Sequence, residues 1–480
     1  MALSLQRPIL VGGLGLSVSL WLLQSWDDSY VHHAHLGEFG ILGAIAVGGG
    51  LWLLKQNNST NNSSQSDGSP VNRATVEAAI SQVEAVVNQL AQEAENHQAL
   101  ATLRSKVTQL QAELDRKDIK IAVTGGKLVG KTTLINLLQN VESFPEKSLT
   151  FQETAALFTE AGETSDTTAL AEANQSDLVL FVTNGDLTET EFQVIQQFKA
   201  RNQRTLLVFN KQDQYLPDER AAVLLSLRQR LPGSVVGAAA APNPIKVRKF
   251  EADGSAQEWM EQPAPDMQQI NQYLSEILEL EAPQLVLATT MRATLALKAE
   301  AKDLLNSVRR DRALPIVEQY QWIAAAAAFA NPVPALDLLA TAAITAQMVM
   351  DLGGIYQQKF SLDQAKTVAG EMGGLMLKLG LVELSTKAIG TVLKSNAVTY
   401  VAGGLVQGVS AAYLTRVAGL SLIEYFQQQE VAGDTGFNLE KFGQTLQNVF
   451  QQTQQLGALQ GFVKQGVKKL LPEAQPEAVV

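Results

Sequence analysis

The chain has 480 residues, no cysteine, a formal net charge of −11 and only 18 % charged residues. At about 150 residues per domain it holds roughly three units, and it can form neither disulfides nor thiolate metal sites. An acidic balance with no basic block excludes a nucleic-acid partner, since phosphate binding demands clustered Lys and Arg.

Pro8 to Trp26 is an uncharged run of nineteen residues, which as a helix rises about 28 Å, close to a bilayer's hydrocarbon thickness. Phe39 to Leu54 is a second uncharged run, of sixteen residues. Gly40, Ala44 and Gly48 give it a small-residue stripe suited to close helix packing. The loop between them holds Asp27, Asp28 and Glu38 but no Lys or Arg, whereas Arg7 and Lys55 flank the pair outside. The positive-inside rule then places both ends in the cytoplasm. A cleaved signal peptide would need a small-x-small site and no second span. Residues 1–55 are therefore expected to form a transmembrane hairpin, with the lipid bilayer as partner.

Residues 56–74 (QNNSTNNSSQSDGSPVNRA) are almost free of apolar side chains and read as a disordered linker. Over 75–115 the pattern is helical, with Val76, Ile80, Val83, Val87 and Leu90, then Leu100, Leu103, Val107, Leu110 and Leu114. A phase slip around Glu95 to Gln98 leaves one long coiled-coil helix or a helical hairpin open.

Asp118 to Thr124 reads as a strand and runs into Gly125, Gly126, Lys127, Leu128, Val129, Gly130, Lys131 and Thr132, which match G-x-x-x-x-G-K-[ST]. In that pattern the glycines let backbone N–H groups face phosphates, the lysine reaches the outer phosphate oxygens, and the hydroxyl ligates Mg²⁺. Thr133 opens the helix that follows, whose N-terminus favours the same anion.

Thr205 to Phe209 is a short buried-strand pattern ending in Asn210-Lys211-Gln212-Asp213, an N-K-x-D element. Its carboxylate, Asp213, can accept from both N1–H and the exocyclic amine of guanine, a donor pair that adenine lacks, and the wrong base would leave buried polar groups unpaired. Asn210 braces the pocket, and the Lys211 stem packs over the base. Ser234 to Gly237 is a further strand leading to Ala238-Ala239-Ala240-Ala241-Pro242, where the N–H groups of Ala239 and Ala240 are candidates for guanine O6. Ser176 to Thr183 is another strand, and Thr188 with Glu191 forms a capping box for the next helix. Alternating strands and helices over 116–282 imply a doubly wound, mostly parallel α/β sheet with the ligand at the strands' C-terminal edge.

With these motifs in hand, residues 118–250 resemble an Era-type small GTPase domain. The helical region that follows, from Phe329-Ala330-Asn331-Pro332-Val333-Pro334 through Met350, resembles the C-terminal helical domain of bacterial YcjF-like membrane proteins. The resemblance implies GTP or GDP with Mg²⁺ as ligands, a bacterial inner-membrane location and a cytoplasmic G domain. It also implies D-x-x-G after the third strand, with Asp bracing Mg²⁺ through water and Gly sensing γ-phosphate. Ala155 to Phe158 leads instead into Thr159-Glu160-Ala161-Gly162, so that Gly162 is the candidate switch II glycine, Thr replaces Asp, and Glu160 or Asp166 is left to substitute. Thr150, eighteen residues beyond Thr132, is the candidate switch I ligand to the metal, with Thr154 as its competitor. A weakened magnesium shell predicts slow hydrolysis or none.

Residues 283–430 form an Ala/Gly-rich helical domain, read as a tightly packed bundle in preference to further membrane spans because Asp337, Gln347 and Gln407 interrupt its apolar runs. Residues 431–480 carry an amphipathic C-terminal helix and tail. Its stripe and that of 75–115 need covering, either by each other or by a second copy, which makes a homo-oligomer a candidate partner. The expected function is a membrane-anchored GTPase switch; the alternative is a guanine-nucleotide-binding scaffold that does not hydrolyse.

Overall fold

The structure, a computed structural model, describes residues 71–139, 148–159, 163–250, 256–330, 334–394, 404–429, 437–454 and 456–470. They all belong to one compact unit, 70–480. The hairpin expected over 1–55, most of the 56–74 linker, Glu160 and Gly162 lie outside the described residues. Among the described residues no helix is long and apolar enough to cross a membrane.

The periodic region after the linker is a helical hairpin, α1 (Arg73–Glu93) and α2 (Leu100–Glu113). The chain turns where the heptad phase slips. Helix α1 starts inside the predicted linker because Asn72 caps it, its side chain accepting from Thr75 N at 2.8 Å, and Arg73 pairs with Asp115 at 2.7 Å.

Five parallel strands form the central sheet: β1 (Ile119–Gly125), β2 (Leu149–Glu153), β3 (Leu178–Thr183), β4 (Thr205–Phe209) and β5 (Val235–Gly237), in the order β2-β1-β3-β4-β5. Every residue of β3 is buried, as a strand covered by helices on both faces requires. Helices α3 (Lys131–Gln139) and α7 (Gln268–Leu280) cover one face; α4 (Glu163–Asn174), α5 (Glu189–Ala200) and α6 (Pro217–Arg230) cover the other. The Thr188–Glu191 capping box is present, with Glu191 N donating to Thr188 Oγ1 and Thr188 N to Glu191 Oε2. A separate antiparallel hairpin, β6 (Ile245–Phe250) and β7 (Ala256–Glu261), follows β5 and was not foreseen.

Helix α8 (Ala282–Ala330) has 49 residues, a rise of about 73 Å at 1.5 Å per residue. Ala282, Leu285 and Val286 complete the sheet's core, Leu297, Ala301 and Leu305 complete the α1–α2 core, and Ala313, Val317 and Ala325 enter the bundle core. The boundary predicted at 282–283 is thus the start of a shared helix. The Asn-Pro-x-Pro stretch falls between Ala330 and the start of α9 (Pro334–Ile355). The bundle continues with α10 (Leu362–Lys378), α11 (Leu381–Lys394), α12 (Leu405–Gln428), α13 (Leu439–Thr453) and α14 (Leu456–Leu470). The C-terminal amphipathic segment is therefore two helices. Their stripes, Phe442, Leu446, Val449 and Phe450, then Leu459, Phe462 and Val463, are buried in the bundle core. The α1–α2 stripe is buried against α8. Neither stripe covers the other, and their burial within the chain removes the physical motive for dimerising through them.

Candidate functional site

The turn after β1 brings the predicted phosphate-binding residues together. Gly125 (φ +142°) and Gly130 (φ +95°) adopt conformations L side chains rarely take. A Cβ at Gly125 would lie 2.2 Å from Val182 O, and one at Gly130 2.4 Å from Asn210 Nδ2. Between them Leu128 (φ +63°) is 78 % exposed; a Leu in this region is unusual, and such strain is tolerated chiefly where backbone shape serves a site. Lys127 is exposed, Val129 is buried, and Thr132 and Thr133 open α3 with exposed side chains.

Lys131 is buried, its Nζ donating to Gly125 O at 3.1 Å and Gly126 O at 3.0 Å. The ammonium thus lies across the loop's carbonyls. Burial lowers its pKa from the ordinary lysine value, against the opposing pull of the Glu153 carboxylate.

Glu153 was missed by the sequence reading. It ends β2, opposite Val123 in register, and its Oε2 accepts from Thr132 Oγ1 at 2.8 Å. The strand in this stretch is Leu149–Glu153, and 155–158 form none. Glu153 is the last residue of β2, and Thr154-Ala155-Ala156 follow it outside any strand. The buried Thr154 hydroxyl bonds Thr124 Oγ1 at 2.8 Å, and Leu157 N donates to Gly125 O at 3.1 Å. Thr150 is not brought to the site: it pairs with Lys120 on β1, three residues before Glu153 and toward the strand end away from the P-loop. Thr159 follows the sharp turn at Phe158 (φ +59°), and Asp166 is occupied accepting from Phe158 N at 3.1 Å. The signal for Glu153 was available, an acidic residue closing the alternating run L-T-F-Q-E.

Asn210 links the two halves of the site. Fully buried, it donates Nδ2 to Val129 O at 2.8 Å and accepts at Oδ1 from Ala240 N at 3.0 Å. Lys211 is left-handed (φ 60°) and turns the chain into the short 3₁₀ turn Gln212–Gln214. Asp213 is exposed, with Oδ2 accepting from Asn243 N at 3.0 Å, so the carboxylate is tied to the loop after β5. Both amides predicted for the base are already engaged: Ala239 N donates to Asp266 O at 2.9 Å and Ala240 N to Asn210. Gln212 Nε2 also donates to Asp266 Oδ2 at 2.9 Å. Asp266 lies too far along the chain for any local pattern to announce it.

The donor set fits a phosphate with Mg²⁺. A tight turn that only glycine permits at 125 and 130, an ammonium across its carbonyls, and a hydroxyl beside a carboxylate supply what a polyphosphate and a hard cation need. Among the described residues no group of three or more His, Asp or Glu forms an all-protein cage, whereas Mg²⁺ commonly takes one or two protein oxygens and fills its shell with phosphate and water.

One family profile matches part of the chain. The profile described as a domain of unknown function (DUF697) matches residues 292–455, which run from within α8 into the C-terminal helices. No curated protein matches. Two solved structures are similar at low identity. One is the LeoA bacterial dynamin GTPase from ETEC, at 13 % identity over 83 % of this chain and 94 % of that one, with a TM-score of 0.28. The other is described as an oligomerised bacterial dynamin pair that "provides a mechanism for the long-range sensing and tethering of membranes", at 14 % identity over 82 % and 81 %, with a TM-score of 0.24.

Proposed function

We propose that the chain is a GTP-binding protein that works at a membrane and transmits nucleotide state to its helical bundle. The observation that carries this reading is the Asn210 bridge between Val129 O and Ala240 N. It ties the glycine-rich turn after β1 to the Asn-Lys-Gln-Asp element by direct hydrogen bonds, as a shared nucleotide site would require. Gly125 to Thr133 hold the phosphates, Lys131 neutralises the outer ones, and Thr132 with Glu153 serves the magnesium side. Bound Mg²⁺ supplies charge neutralisation for the phosphates; the chain's own residues orient and bind. Lys211 and Asp213 read the base, and residues 1–55 anchor the chain as a hairpin in a bacterial inner membrane, with the G domain in the cytoplasm.

A second reading, a guanine-nucleotide scaffold without hydrolysis, is favoured by Thr159, which replaces the Asp of the D-x-x-G that the resemblance implies. The test is nucleotide binding and single-turnover hydrolysis by full-length protein in the presence and absence of liposomes. GTP binds and ATP does not, and Lys131→Ala removes binding. Equal binding of ATP would overturn the guanine assignment, while tight GTP binding with no turnover would select the scaffold.

A further inference from the structure

Asp213 is held from two sides, and both holds lead to one residue outside the N-K-x-D element. On the first side is Gln212, the residue before it in the chain. Gln212 is buried, its main-chain N–H donating to Ala238 O at 3.2 Å and its Nε2 to Asp266 Oδ2 at 2.9 Å. A carboxylate only accepts, so the amide nitrogen must face Asp266 and the amide oxygen must point elsewhere. That oxygen lies against Gly237, where a Cβ would stand 2.4 Å from it. The end of β5 is thus bare of a side chain where Gln212 lies over it.

On the second side, Asn243 N donates to Asp213 Oδ2 at 3.0 Å. Asn243 lies on the segment that runs from Ala239 toward β6. Ala239 is fixed by a pair of main-chain bonds, its N–H donating to Asp266 O at 2.9 Å and Asp266 N to Ala239 O at 3.0 Å. The β6–β7 hairpin departs and returns between these two residues. One more bond crosses the neck of this excursion, from Gln262 Nε2 to Pro242 O at 2.6 Å.

Asp266 itself is exposed, but the amide it receives is not. Removing its carboxylate leaves the Gln212 amide short of a partner, a cost that a buried polar group avoids by moving. Asp213, next in the chain, moves with it.

We infer that Asp266 is a positioning residue for base recognition. Through Gln212 and Ala239 it sets where the Asp213 carboxylate stands, and hence the preference for a purine with an exocyclic amine. The role rests on Asp213 reading guanine, as proposed above.

The test is displacement of a fluorescent GDP analogue from the full-length protein by GTP and by inosine triphosphate, which keeps N1–H and O6 but lacks the amine. The unmodified protein prefers GTP at least about ten-fold, the worth of a hydrogen bond to a charged group. Asp266→Ala brings the two within about three-fold of each other. Gln212→Glu does the same by setting two carboxylates face to face. Combining Gln212→Glu with Asp266→Asn exchanges donor and acceptor while keeping shape and net charge, and it restores the preference. A residue that merely stabilised the fold would lower both affinities together and leave their ratio alone. That result for Asp266→Ala, or failure of the paired substitution to restore the ratio, would overturn the role of Asp266. If the unmodified protein bound neither triphosphate, or bound both equally, the guanine reading itself would fall and this role with it.

Discussion

The Thr132 hydroxyl donates to the Glu153 carboxylate at 2.8 Å, joining the residue after the P-loop lysine to the last residue of β2. This contact predicts a magnesium-specific defect. Glu153→Gln keeps a hydrogen-bonding side chain but loses the charge that orients the metal's surroundings, and it lowers Mg²⁺-dependent GTP affinity roughly 10- to 100-fold. Titration with a fluorescent GTP analogue, in Mg²⁺ and in EDTA, separates this from general damage. Equal losses in both would mean that Glu153 does not serve the metal.

Asn210 holds two backbone groups at once. Asn210→Ala leaves Val129 O and the Ala240 N–H without their partner, each costing about 1–3 kcal/mol if it stays buried. The G-domain unfolding transition in urea shifts to lower concentration, and GTP binding weakens with it. An unchanged midpoint would contradict the bracing role.

The Arg309–Glu93 pair ties the end of α1 to the middle of α8 at 2.8 Å, with side chains only 5 % and 11 % exposed. Arg312 also reaches Glu93 at 3.2 Å, and the Arg309 guanidinium lies 5.7 Å from the Tyr356 ring centroid. Glu93→Ala strands a buried guanidinium and destabilises this junction by about 3–5 kcal/mol. Hydrogen exchange over 73–93 and 300–312 reads the loss directly; protection equal to that of the unmodified chain would refute it.

Acid weakens the joint between α2 and β1. Burial raises the Glu113 pKa, but hydrogen bonds from Arg116 and Lys120 outweigh this and hold it below the ordinary 4.5. A depressed carboxylate stabilises the fold above its unfolded pKa, and that contribution disappears as pH falls through the lower folded value. The urea midpoint therefore drops below about pH 4.5, less steeply in Glu113→Gln, and the two proteins having the same acid slope would count against the pairing.

β1, β3 and β4 were legible because each is a short, largely apolar run, and the glycine-rich turn and N-K-x-D element because they close β1 and β4 with polar residues at fixed spacing. β2 was not, because as an edge strand it is mostly exposed and its pattern is diluted. Thr150 and the 155–158 segment consequently drew attention away from Glu153. The β6–β7 hairpin carries little periodic signal, with Ile245, Trp259 and Met260 left exposed. The amphipathic stripes near either end of the unit were read correctly as needing cover, but the sequence could not tell that α8 supplies it for one and the bundle for the other.

Because Ala282, Leu297 and Val317 sit on one helix and in three different cores, the phase of α8 is common property. A single residue inserted near position 306 would turn everything beyond it by about 100° and carry it 1.5 Å onward. Val317 and Ala325 would face out of the bundle while Leu297 stayed in place. Length changes in this stretch are tolerated only in steps close to whole turns, such as seven or eleven residues. Bundle and G domain are thereby geared to one another, and neither can be re-indexed alone.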